Sequence, residues 1–156
     1  MIEIERRFLV DRLPDELPEP VQVEQAYIST VPVSVRARLI GDRRVLTIKS
    51  GQGLERMEIE HDLTPEEFDA LWRLPNELRI SKRRHRIDLG NGLTAELDLF
   101  DGALTGRRLV EVEFDSVDAA HAFTPPAWFG REVTDDGRYT NGALARHGWP
   151  DEPPNG

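Results

Sequence analysis

Apolar and charged residues alternate along residues 2–10. Ile2, Ile4, Phe8 and Val10 share one parity, interrupted by Arg6, while Glu3, Glu5 and Arg7 share the other. A period of two marks a strand with two unlike faces. The pattern recurs down the chain. Over 23–30, Gln25, Tyr27 and Ser29 oppose Ala26 and Ile28. Over 34–40, Ser34, Arg36 and Arg38 oppose Val35, Ala37 and Leu39. Over 44–50, Val45, Thr47 and Lys49 oppose Leu46 and Ile48, and over 55–62 Arg56, Glu58 and Glu60 oppose Met57 and Ile59. Lys82, Arg84 and Arg86 share a face of a basic strand at 79–87. Glu96 and Asp98 oppose Ala95, Leu97 and Leu99 over 93–100, and Glu111 and Glu113 oppose Val110, Val112 and Phe114 over 108–115.

Turn chemistry separates these segments. Gly41-Asp42 and Asp101-Gly102 turn the chain, and Asn91-Gly92 is a strong two-residue hairpin signal. Ser50 to Gly53 reads as a flexible loop, and the proline-rich stretch 11–20 as an irregular connection. Thr64-Pro65-Glu66-Glu67 starts a helix: Thr64 caps it, Pro65 takes the first position, and Glu67 completes a capping box. Phe68, Leu71 and Trp72 follow at helical spacing, and Leu74-Pro75-Asn76 ends the segment. Ser116 caps a second short helix, residues 124–130 form an aromatic connection, and 141–146 a last helix. The tail 150–156 reads as disordered. The result is about eight strands with two or three short helices, joined by hairpins into an antiparallel, mainly β (α+β) domain.

Composition narrows the functional classes. The 156 residues suit one domain, and the net charge of −9 argues against sequence-independent nucleic-acid binding. The chain has no Cys, which excludes disulfides and thiolate metal sites and fits the cytoplasm. No run reaches the length of a membrane span, and the first residues read as a strand, not as a signal peptide.

The charged faces change the picture most. Acidic pairs occur at Glu3/Glu5, Glu58/Glu60, Glu96/Asp98 and Glu111/Glu113, and basic pairs at Arg36/Arg38 and Arg84/Arg86. Like charges two residues apart repel, so a merely solvated face gains nothing from such pairing. A metal-bound polyphosphate needs both signs: carboxylates for a hard cation such as Mg²⁺ or Mn²⁺, and Arg forks and Lys ammonium groups for phosphate oxygens. One unit pair at 4 Å and an effective dielectric of 20 contributes ~4 kcal/mol. Closing the sheet into a barrel brings acidic and basic strands face to face, and about eight strands leave room for one small ligand.

Taken in order, these residues resemble the CYTH-domain proteins, the triphosphate tunnel metalloenzymes. The resemblance rests on Glu3-Ile4-Glu5-Arg6-Arg7, Arg36-Ala37-Arg38, Lys49, Glu58-Ile59-Glu60, Lys82-Arg83-Arg84, Glu96-Leu97-Asp98 and Glu111-Val112-Glu113. Trp128 to Thr134 and Arg138-Tyr139-Thr140-Asn141 resemble the short bacterial tripolyphosphatases. It implies a closed eight-stranded antiparallel β-barrel tunnel over 1–149 with a few short flanking helices. Family activities include hydrolysis of inorganic tripolyphosphate, hydrolysis of thiamine triphosphate and adenylate cyclisation. Glu3, Glu5, Glu111 and Glu113 are the implied metal ligands, direct or through water, with Asp98, Glu58, Glu60 and Glu96 around a second metal or its waters. Arg36, Arg38, Lys49, Lys82 and Arg84 grip phosphate, and Arg138 matches a family position near it. Arg56 and Arg86 are weaker candidates.

Tyr27 matches a family tyrosine discussed as a proton acceptor, a role in which a phenol needs cationic neighbours. Arg7 departs from the family, where Lys is usual. Arg effectively cannot lose its proton, so water activation would fall to Lys82 or Tyr27, or Arg7 would only bind phosphate. His61, His85, His121 and His147 make no metal-spaced pair. The leading expectation is a metal-dependent tripolyphosphatase. The alternatives are a thiamine triphosphatase, an adenylate cyclase, or a non-catalytic polyphosphate binder. Apolar faces outside a barrel need covering by helices or a partner, which leaves a homodimer open.

Overall fold

A computed structural model of the chain describes residues 1–74 and 78–151. Nine strands form one antiparallel sheet: β1 Ile2–Val10, β2 Val21–Ser29, β3 Ser34–Ile40, β4 Arg43–Ser50, β5 Glu55–Asp62, β6 Arg79–Gly90, β7 Leu93–Phe100, β8 Arg108–Glu113 and β9 Phe129–Glu132. Their order is β5-β4-β3-β2-β6-β7-β8-β1-β9, and β1 also pairs with β5, which closes the first eight into a barrel. Three short helices flank it: α1 Pro65–Trp72, α2 Val117–Ala122 and α3 Asn141–His147. The expected eight-stranded antiparallel barrel with short helices is therefore present. The expected helix stop at Leu74-Pro75-Asn76 and the tail expected to be disordered at 150–156 fall largely outside the described residues.

The local signals act as their chemistry requires. Thr64 Oγ1 accepts from Glu67 N at 3.1 Å while Thr64 N donates to Glu67 Oε1 at 2.9 Å, completing the capping box. Asn91 and Gly92 take φ of 54° and 76° in the turn between β6 and β7, the left-handed geometry that tight hairpins need.

Strand β9 was not visible in the alternation. It is four residues long, begins in the aromatic connection, and pairs with β1 at Phe8↔Glu132 and Val10↔Phe129. Its cause lies in β1. One edge of β1 pairs with β8, while β5 covers only Ile2 to Ile4 of the other. The rest of that edge would be an unpaired row of amides, and β9 supplies the partner.

Two apolar clusters hold the barrel. Phe8, Val10, Ala95, Leu97, Val110 and Val112 pack outside the wall with Phe114, Ala120 and Phe129. Tyr27, Ile80, Phe100 and Leu109 meet Leu104, Val133, Tyr139 and Leu144 in a second cluster, which brings in α3 and the segment before it. Among the described residues no helix is long and apolar enough to cross a membrane.

Arg6, the break in the outward apolar row of β1, is a clamp. Its Nη1 donates to Ala120 O at 2.8 Å and Phe123 O at 2.9 Å, carbonyls at the end of α2. Its Nε and Nη2 fork onto Glu132 of β9 at 2.9 and 2.7 Å, and its guanidinium lies over the Phe8 and Phe123 rings. One side chain thus joins β1, α2 and β9. Arg6→Ala is expected to lower the unfolding free energy by about 2–3 kcal/mol in urea titration. Arg6→Lys, with no fork, should recover less than half of that loss.

Candidate active site

The inward parity of the strands delivers charged side chains to a cavity of about 230 Å³. Glu5 and Arg7 come from β1, Tyr27 from β2, Arg36 and Arg38 from β3, Lys49 from β4, Lys82 and Arg84 from β6, Glu96 from β7 and Glu111 from β8. The lining includes eight Lys and Arg residues against four Asp and Glu. A basic cavity has been built inside a chain of net charge −9.

Some of these cations are matched. Arg84 forks onto Asp98 at 2.8 and 3.0 Å, and Lys82 Nζ reaches the same carboxylate at 2.7 Å. Burial works against the Asp98 charge, but Arg84 and then Lys82 hold its pKa below the ordinary range. Lys49 bonds both oxygens of Glu3 at 3.0 and 3.2 Å and lies 3.3 Å from Glu58. Arg7 donates to Glu5 at 3.0 Å and lies 3.6 Å from Glu111.

Others are not. Among the described residues Arg36 and Arg38 have no carboxylate within ion-pairing distance, and their Nε atoms, like that of Arg7, are buried without an acceptor. Burial, with Arg36 and Arg84 adjacent, pushes the Arg38 pKa down to about 9. Burial likewise lowers Lys82 to about 8 despite Asp98. Three guanidinium groups converge here without enough negative charge, so the cavity is shaped for an anion with several oxygens.

The carboxylates show the complementary strain. Burial, and then Glu111, pushes Glu5 up to about 8. Glu111 stays well below the ordinary range: burial opposes its charge, but Arg7 and a hydrogen bond from Glu5 outweigh it. Glu5 therefore holds its proton more readily than Glu111 does. Glu3 is raised by burial, partly offset by Lys49, and Glu113 by partial burial and by Glu3, Glu58 and Glu96. Carboxyl groups are hard oxygen donors, so the donor set fits a divalent cation such as Mg²⁺ or Mn²⁺. Among the described residues no three acidic or imidazole side chains already converge as a metal cluster. Mg²⁺ keeps most of its waters and needs only one or two carboxylates.

Other predicted residues sit apart from the cavity lining. Glu3 and Asp98 are buried behind their cationic partners, Glu58 is half-buried, and Glu60 and Glu113 are exposed. Arg86 is exposed and holds Glu96 at 2.6 Å, and Arg138 is exposed and forks onto Asp136 at 3.0 and 2.7 Å. Gln25, Asn141 and Arg56 complete the polar setting. The parity of Gln25 with Tyr27 pointed inward, whereas Asn141, in α3, carried no strand signal. Asn141 Oδ1 accepts from Lys82 at 2.8 Å and from Gln25 at 3.1 Å.

Comparison with known proteins follows the same lines. The CYTH domain profile matches residues 1–133. An inorganic triphosphatase of Nitrosomonas europaea is 46% identical over 147 residues, covering 93% of this chain and 97% of that protein. One of Acetivibrio thermocellus is 34% identical over 149 residues, covering 93% and 94%. The crystal structure of the inorganic triphosphatase NE1496 matches with a TM-score of 0.68 at 43% identity, covering 92% of this chain and 93% of that one.

The raised Glu5 pKa has a consequence for stability. Glu5 binds its proton more tightly folded than unfolded, so stability should fall as pH rises from the ordinary carboxyl value of 4.5 to about 8. The lowered Lys82 acts in the opposite sense only above about 8. In EDTA, urea titrations at pH 5.5 and 8 should show wild type losing on the order of 2–4 kcal/mol across that interval. Glu5→Gln should remove most of the slope and leave the protein more stable than wild type at pH 8.

Proposed function

This chain belongs to the CYTH-domain family, and we propose that it hydrolyses inorganic tripolyphosphate to pyrophosphate and phosphate with a divalent metal ion. The observation that carries the reading is the unmatched cationic wall: Arg36, Arg38 and Arg84 line one cavity, and two of them lack a carboxylate. Two inorganic triphosphatases covering nearly the whole chain support the choice of substrate.

The chain's own groups divide the work. Arg36, Arg38 and Arg84 neutralise phosphate oxygens, and Lys49 and Lys82 add ammonium charge on two sides of the cavity. A water adds to a terminal phosphorus, the bridging P–O bond breaks, pyrophosphate leaves with the electron pair, and the water's proton passes to a phosphate oxygen or to solvent. Negative charge shifts onto the leaving oxygen in that step, and fixed guanidinium groups stabilise it without reorganising. Glu5 and Glu111, with Glu3 and Glu113, would hold the metal. When bound, Mg²⁺ or Mn²⁺ supplies charge neutralisation and orients the triphosphate.

Arg7 sets the limit on how water is activated. It is buried, and Glu111 and Glu5 hold its pKa up against desolvation, so it stays cationic. Its part is to bind phosphate and order the two carboxylates. This feature is also what favours the alternative of a triphosphate binder that does not turn over.

The decisive measurement is phosphate release from tripolyphosphate, ATP and thiamine triphosphate, each with Mg²⁺ and with Mn²⁺. Tripolyphosphate should be the best substrate and EDTA should abolish turnover. Arg7→Lys should preserve or raise turnover, and its complete loss in that variant would sink the role given to Arg7. Tight tripolyphosphate binding with no release would favour the non-catalytic reading, and cyclic AMP from ATP a cyclase.

A further inference from the structure

A chain of polar groups runs beside the cavity, and donor and acceptor capacity fixes its direction. Lys82 Nζ can only donate. It lies 2.8 Å from Asn141 Oδ1, so Asn141 presents its oxygen, not its amide nitrogen, to the ammonium group. The same oxygen lies 3.1 Å from the Gln25 amide. Two carbonyl oxygens cannot bond each other, so Gln25 presents its NH₂. That nitrogen also reaches Tyr27 Oη at 3.1 Å. Arg36 Nη1, which has no acceptor capacity, approaches the same oxygen at 3.5 Å.

Two donors therefore face the Tyr27 hydroxyl oxygen, Gln25 at hydrogen-bond distance and Arg36 at its outer limit. The arrangement has a visible cost, because Gln25 Oε1 is buried without a partner. Rotating the amide would offer that oxygen to Tyr27 but would set it against Asn141 Oδ1, whose direction Lys82 dictates. Among the described residues, the Tyr27 O–H has no acceptor. Tyr27 lines the cavity.

We infer that Gln25 and Asn141 are positioning residues that hold the Tyr27 hydroxyl as a hydrogen-bond donor to an anionic oxygen of the bound triphosphate. Tyr27 then stabilises charge on the phosphate and does not take the proton from water, the opposite of the role the family resemblance attaches to it. The inference rests on the triphosphate reading of this cavity.

The test compares wild type, Tyr27→Phe, Gln25→Glu and the double variant, with folding checked by thermal melting. Turnover of tripolyphosphate with Mg²⁺ is read beside the affinity for its imido analogue, measured by calorimetry. Tyr27→Phe deletes the donor and should lower kcat roughly 100-fold. Gln25→Glu keeps the hydroxyl but draws its proton into an internal bond, so it should match Tyr27→Phe within about threefold, and the double variant should be no worse. Both single variants should weaken analogue binding by the same factor. A Gln25→Glu enzyme as active as wild type, or more so, would mean that the carboxylate assists a base, and would overturn the inference. So would losses that multiply in the double variant. If wild type binds the analogue but releases no phosphate, the hydrolytic reading fails alone, and equal weakening in both single variants still supports the donor. If wild type does not bind the analogue, both fail.

Discussion

Burying many charges inside a small barrel is costly unless each finds a partner, and the wall of this barrel meets that demand unevenly. Asp98 satisfies Lys82 and Arg84 together, and Glu3 satisfies Lys49. Those pairs hold the ends of long side chains in fixed positions. Arg36 and Arg38 have no such partner, and their burial is tolerable only because the rest of the fold supplies the stability. It does so elsewhere: one apolar cluster packs outside the wall and the other joins the C-terminal segment to the inward residues Tyr27, Ile80, Phe100 and Leu109. The cavity is thus free to remain unsatisfied.

Strand β1 carries both tasks at once. Its inward row supplies Glu5 and Arg7 to the cavity, while its outward row supplies Phe8 and Val10 to the core. A one-residue slip would exchange those faces. Pairing with β8 and β5 sets the register, and Arg6 ties the strand to α2 and β9. The residue that broke the apolar alternation is therefore part of what keeps that alternation in place.

Strand parity is local, so the inner face was legible from sequence. Arg36, Arg38, Lys49, Lys82, Arg84 and Glu111 were read inward and line the cavity. Depth along the barrel was not legible, because it depends on register between strands distant in sequence. Glu60 and Glu113 have the right parity yet are exposed. Arg138 lies in a short 3-10 helix where strand parity has no meaning, and it is taken up by Asp136. Asn141 belongs to a helix that reaches the cavity only through tertiary packing. Strand β9 exists because β1 has an uncovered edge, not because its own four residues alternate.

The same distinction governs the chemistry. A charge's sign can be read from its residue type, but the direction of a neutral hydrogen bond cannot. Gln25, Asn141 and Tyr27 each can donate and accept, so the sequence leaves their roles open. Lys82 removes the ambiguity because its ammonium group has no lone pair to offer. Its contact with Asn141 propagates through Gln25 to the Tyr27 hydroxyl. On the proposed triphosphate reading, a cationic Arg7 and a Tyr27 that faces donors would stabilise negative charge on phosphate more than withdraw a proton from water. Loose phosphoryl-transfer transition states place little demand on a strong base and much on positioning and charge. An arginine in the place of the family's usual lysine is consistent with that chemistry, since it keeps its charge where a lysine could lose a proton, and its Nη2 lies 3.0 Å from Glu5 and 3.6 Å from Glu111.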